Sequence, residues 1–199
     1  MKKVLLVLLS VFMLAACGGK NEPVQLSFDE IEDLNLDDQV KAIIDNTELL
    51  EDYEIVIENN SVAIIYPATH ISDSSLALDD SNESFPNVAM TLVEHLSVLE
   101  FDETVITSYE PTETTGITGL TKVSALFNRD TVKELDFEEW KDEREKFPQR
   151  FYRYSDGYLI RGTVWENLGE EKQEAIGNES KNAVNSDSQF WEYYGSYVE

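Results

Sequence analysis

Cysteine is nearly absent from this chain: Cys17 stands alone among 199 residues. A single thiol closes no intramolecular disulfide, so stability has to come from packing. Histidine is almost as scarce, with only His70 and His95. A zinc site wants three or four His, Cys or carboxylate ligands at patterned spacing, and no His-Glu-x-x-His occurs. Gly-x-Ser-x-Gly, Ser-x-x-Lys and a phosphate-cradling glycine-rich loop are also missing. No apolar run reaches the roughly 20 residues of a spanning helix. Positive charge is the remaining shortage: 15 Lys and Arg against 40 Asp and Glu, for a net charge of −25. Between Asn21 and Glu110, 22 acidic residues accompany one cation, Lys41, whereas Pro111 to Glu199 holds 18 acidic and 11 basic residues. Phosphate backbones repel such a chain, which argues against nucleic acid as a partner.

What is present begins at the N-terminus. Lys2 and Lys3 precede an apolar run from Val4 to Ala16, interrupted only by Ser10 and closed by Leu14-Ala15-Ala16-Cys17. Lysines, a short apolar run and small residues in this order read as a targeting segment rather than as part of the fold. The stretch resembles a bacterial lipoprotein signal, with a basic region, a short hydrophobic region and a lipobox. The resemblance implies cleavage before Cys17 and a diacylglycerol thioether on its sulfur. Two acyl chains anchor stably, since each buried CH₂ contributes about 0.8 kcal/mol. It divides the chain into a signal peptide (1–16), a lipidated tether (17–26) and one extracytoplasmic domain (27–199). The location expected is the outer face of a cell membrane. With no disulfide in the exported part, a Gram-positive surface fits better than an oxidising periplasm. The mature chain keeps 13 basic and 40 acidic residues, net −27. That acidity reads as solubility beside a charged envelope.

Periodicity places the elements of the domain. Ser27 with Glu30 is a capping-box signal. Leu36, Val40, Ile43, Ile44 and Leu50 predict a helix near 37–50. Tyr53, Ile55 and Ile57, then Val62, Ile64 and Tyr66, alternate on either side of Asn59-Asn60, which predicts a hairpin with Ile57 opposite Val62, Ile55 opposite Ile64 and Tyr53 opposite Tyr66. Residues 68–84 read as a loop. Pro86 to Glu100 predicts a helix, and 104–109 and 121–127 predict strands. Asp136 with Glu139 caps another helix. Phe151 to Tyr154 and Tyr158 to Trp165, around Asp156-Gly157, predict a second hairpin, followed by a sparse helix near 169–190. The class expected is α+β: a mainly antiparallel sheet of about six strands with three or four helices on one face. In layout alone the body is similar to small uncharacterised surface lipoproteins of Gram-positive bacteria, a likeness that brings no activity.

The candidate chemistry is sparse. His70 and His95 have no partnering Ser or Cys and read as ordinary polar residues. Asp80-Ser81-Asn82-Glu83-Ser84 begins like a calcium loop, yet Phe85 stands where the turn glycine belongs and Thr91 where the closing glutamate belongs. The dense cation source is Lys141, Arg144, Lys146, Arg150, Arg153 and Arg161. It reads as an internal counter-charge for the acidic half, with Tyr152 and Arg161 facing each other across the second hairpin as a cation–π pair. The opposing reading makes it an anion or polymer site. The C-terminal aromatics Phe190, Trp191, Tyr193, Tyr194 and Tyr197 read as closing a core edge. Cys17 is the one site expected, with no catalytic group, metal or cofactor. The function expected is a non-catalytic envelope module, held to the membrane through Cys17 and facing a protein or envelope-polymer partner. A wall hydrolase with a carboxylate pair, a calcium-dependent structural protein and a transporter's solute receptor are the alternatives.

Overall fold

The computed structural model of the chain describes residues 26–68, 84–113, 116, 118–147, 150–176 and 186–193. Cys17, His70 and most of the 68–84 segment lie outside the described residues.

Helix α1 (Phe28–Glu32) carries the expected capping box, with Ser27 and Glu30 bonded reciprocally. Helix α2 (Leu36–Thr47) starts at Asn35, whose side chain accepts from the Asp38 amide, and buries Val40, Ile43 and Ile44. Strands β1 (Glu54–Glu58) and β2 (Ser61–Pro67) form the expected hairpin, with Ile55 opposite Ile64 and Ile57 opposite Val62, but the expected Tyr53–Tyr66 pair does not form, because Tyr53 precedes β1 and turns its hydroxyl to Asp45 of α2. Asn59 and Asn60 sit at φ 49° and 63°, the positive pair that a type I′ turn requires. Helix α3 (Phe85–Leu96) starts on a Ser84 cap with Pro86 in its first turn, then tightens into a 3₁₀ turn at Ser97–Leu99. It crosses to β3 (Glu103–Pro111), which lies parallel to β2, and β4 (Gly119–Asn128) returns antiparallel.

Five further helices follow: α4 (Arg129–Glu134), α5 (Phe137–Lys146), α6 (Phe151–Tyr154), α7 (Gly162–Asn167) and α8 (Glu170–Ile176). Strand β5 (Gly157–Ile160) lies between α6 and α7 and pairs antiparallel with β4. The sheet order is β1-β2-β3-β4-β5. One face packs Val62, Ile64, Ile106, Ala125 and Phe127 against the helices. On the other face, Ala63, Ile65, Val105 and Leu126 are covered by Phe190, from a 3₁₀ turn at Gln189–Tyr193. Strand β2 is therefore buried on both faces, which explains why its apolar run lacks alternation between Val62 and Tyr66.

The class is α+β, but the architecture corrects the sequence reading at three points. The sheet is mixed and has five strands rather than about six. The described residues contain eight α-helices rather than three or four. The second hairpin is absent. Phe151 and Tyr152 are both fully buried in the same core cluster, which a helical turn allows, whereas a strand would send them to opposite faces of the sheet. Phe151 stacks on Trp140 with centroids 5.6 Å apart, and Tyr152 meets Tyr158 at 5.0 Å. Val164 and Leu168, four residues apart, enter the same core, so 162–167 coils as α7 instead of extending β5. The sparse helix expected over 169–190 is described only as α8 and the Gln189–Tyr193 turn.

Candidate functional site

A cleft of about 330 Å³ opens where α4, the start of α5 and the α6–β5 turn meet. Each wall has a local cause. Asp136 caps α5, its Oδ1 accepting from the Glu138 and Glu139 amides at 3.1 and 3.0 Å. That cap fixes Asp136 and Glu139 on the rim, with Glu134 at the end of α4 beside them. Trp140, 1% exposed, is held by Phe127, Phe137, Phe151 and Tyr154 around it. Asp156, only 3% exposed, accepts from the Asn128 amide at 2.7 Å and from Thr131 Oγ1 at 2.9 Å, tying α4 to the turn before β5. Ser155 Oγ donates to the Tyr152 carbonyl. Four carboxylates thus line the cleft against one guanidinium, Arg153. Among the described residues no group of three or more His, Cys, Asp or Glu is placed to hold a metal ion. The lining is rich in acceptors and suits hydroxyl or ammonium donors.

Beside it Tyr154 donates its hydroxyl to Glu143, which also accepts from Arg150 Nη1 at 2.7 Å. Burial first, then the Glu143 contact, pushes the Tyr154 phenol up to about 12. The Tyr154 bond, with Arg150 adding to it, holds the Glu143 carboxyl below its usual range.

A second cleft, of about 210 Å³, shares Leu135 with the first and lies on the other side of α4. Its apolar lining comes from Leu96, Phe101, Val132, Leu135 and Phe137, with Arg129 and Lys133 alongside.

The sequence candidates disperse. His95 is exposed in the last turn of α3, and its side chain makes no hydrogen bond or ion pair among the described residues. Phe85 is fully buried in the first turn of α3. Among its described side chains, which do not include Arg144, the basic stretch forms no single patch. Lys141 reaches Glu94 at 2.9 Å and Arg161 reaches Glu110 at 2.8 Å, so both pair with the acidic half. Arg150 stays local on Glu143, Arg153 lines the large cleft, and Lys146 is exposed. The Tyr152–Arg161 cation–π pair does not form: Tyr152 is in the core, and the Arg161 guanidinium shares Glu110 Oε2 with Lys122. Instead Arg150 lies 4.3 Å from the Phe147 ring centroid. Phe190 does close a core edge, while Trp191 beside it is exposed. Sequence reasoning missed Thr131 and Asp156. Asp156-Gly157 carries a turn signal, and nothing in the order of residues shows that its carboxylate turns inward.

No protein-family model, curated protein or solved structure matches the chain.

Proposed function

We propose that this chain is a lipid-anchored, extracytoplasmic, non-catalytic module that binds a partner of the cell envelope. The observation that carries the reading is Lys2-Lys3, the short apolar run and Leu14-Ala15-Ala16-Cys17, in that order. Nine residue steps separate Cys17 from Leu26, where the described domain begins. Fully extended they reach about 30 Å, so an acyl group on Cys17 would keep the domain close to the lipid surface. A binding role is favoured over turnover because the hydroxyls of the large cleft are engaged in structural bonds, Thr131 to Asp156 and Ser155 to the Tyr152 carbonyl. Asp156, the carboxylate on Thr131, is itself held by the Asn128 amide, and His95, exposed at the end of α3, does not line that cleft.

The test is metabolic labelling with a palmitate analogue in a bacterial host, comparing the natural chain with Cys17→Ala. The natural chain should incorporate label, fractionate with membranes and be processed. The alanine variant should take up none and should accumulate unprocessed or be shed. Equal labelling of the two chains rejects the anchor at Cys17.

A further inference from the structure

We infer that the smaller cleft beside α4 is a binding site for a small amphipathic anion, a carboxylate carrying a short apolar body. Two observations point there, and neither depends on the lipid anchor.

The first is charge. The two neighbouring clefts have opposite character. The larger is lined by Glu134, Asp136, Glu139 and Asp156 against Arg153. The smaller is lined by Arg129 and Lys133 against Glu100 alone. In a chain of net charge −25, a concave surface with an excess of cations is a local inversion. Both cations have donors to offer. Lys133 is exposed and makes no ion pair or side-chain hydrogen bond among the described residues. Arg129 meets Asp102 only through Nε at 3.5 Å, too long for a strong bond, so its fork of N–H donors is not committed to that carboxylate. The other cations that reach the acidic half hold their carboxylates more closely, Lys141 at 2.9 Å and Arg161 at 2.8 Å.

The second is the apolar lining. Leu96 and Phe101 are buried, and Val132, Leu135 and Phe137 are half-buried around the same space. Ligand sites are mostly apolar with a few placed polar groups. At about 210 Å³ the cleft falls below the roughly 300–1,000 Å³ of drug-sized sites, which restricts the occupant to a short chain or a single ring. The carboxylate would accept from Arg129 and Lys133 while the body covers Leu96, Phe101 and Val132. A cation or a neutral alcohol of the same length would bury equal apolar area but lose the charged contact, worth roughly twice a neutral hydrogen bond.

The experiment titrates the full chain with sodium octanoate, n-octanol and n-octylammonium, following backbone amide shifts and melting temperature. Octanoate should bind saturably, shift resonances of 96–104 and 129–137, and raise the melting temperature. Octanol should bind at least tenfold more weakly, and octylammonium should not perturb the resonances of 96–104, which border the smaller cleft and not the larger. Lys133→Gln, at an exposed position without an intramolecular partner, should weaken octanoate several-fold while leaving octanol unchanged. Arg129→Gln should do the same, and if it unfolds the protein Lys133→Gln still decides. Added salt should weaken octanoate selectively. Equal affinity for octanoate and octanol, unsaturable shifts, or octanoate binding unaffected by Lys133→Gln would overturn the proposal.

Discussion

Glu143 joins two helices through one carboxylate, accepting from Tyr154 and Arg150. Its ionisation and that of Tyr154 bear on stability with opposite signs. Glu143, Glu30 and Glu110 are all held below the ordinary glutamate value of 4.5 by their hydrogen-bond donors. At low pH the unfolded chain therefore binds more protons than the folded one, and the stability these groups give, present above about pH 4.5, is lost as pH falls through their folded values. Tyr154 is pushed up to about 12 from 10.0. Between those values the folded state holds the proton and the unfolded state releases it, so stability falls as pH rises. Burial raises Tyr66 and Tyr152 as well, adding to the same limb. Urea midpoints measured across pH should show a plateau with a fall on each side, and Tyr154→Phe should make the alkaline fall shallower. Midpoints that hold level from pH 10 to 12 would refute this account. The Asp136 cap was legible as Asp136-x-x-Glu139, a local signal. The Glu143–Tyr154 bond was not, because it spans eleven residues and two helices.

The β1–β2 hairpin is the element that sequence logic reached most completely, because alternation and turn chemistry agree within a dozen residues. Its weak point is the turn. Asn60 at φ 63° occupies left-handed space that costs an ordinary residue about 1–2 kcal/mol. Asn60→Val should lower unfolding free energy by about that amount, whereas Asn60→Gly should leave it within about 0.5 kcal/mol. Denaturant unfolding of the two variants checks the difference, and a valine variant as stable as the natural chain would contradict the turn assignment. Residues 151–165 show the opposite case. Their aromatic and β-branched content favours strands, but strand propensity is largely a record of packing. Here the packing partners, Phe85, Trp140 and Tyr158, lie far away in sequence or on another element and require helical turns.

At the scale of the whole molecule, counter-charges among the described residues meet the acidic half at its C-terminal end. Lys141, Arg129, Lys122 and Arg161 meet Glu94, Asp102 and Glu110, all at its C-terminal end. From Leu26 to Asn60 there are 12 acidic residues and one cation, Lys41, which is occupied by Asp45. The α1–α2–β1 side therefore carries a large excess of negative charge. Melting temperature should therefore rise as salt increases from low to physiological strength, where the Debye length is about 8 Å. Neutralising that side, with Glu51→Gln and Asp52→Asn, should raise the melting temperature at low salt and have little effect at high salt. A double variant that melts lower at low salt, or a natural chain destabilised by moderate salt, would show that repulsion on this side is not limiting. Arg161→Gln should change stability by less than about 1 kcal/mol, as for other exposed pairs.

The order of residues determined the local features: the caps at Ser27 and Asp136, the helices near 37–50 and 86–100, the first hairpin, and the α+β class. Each rests on interactions within a few residues, where spacing alone decides which side chains share a face. Only the tertiary structure decided the parallel β2–β3 pairing, the burial of β2 on both faces, the coiling of 151–154 and 162–167, and the two clefts of opposite charge around α4. Those depend on which distant surfaces meet. Burial of apolar area is non-directional, and it leaves no periodic trace at the residues it brings together.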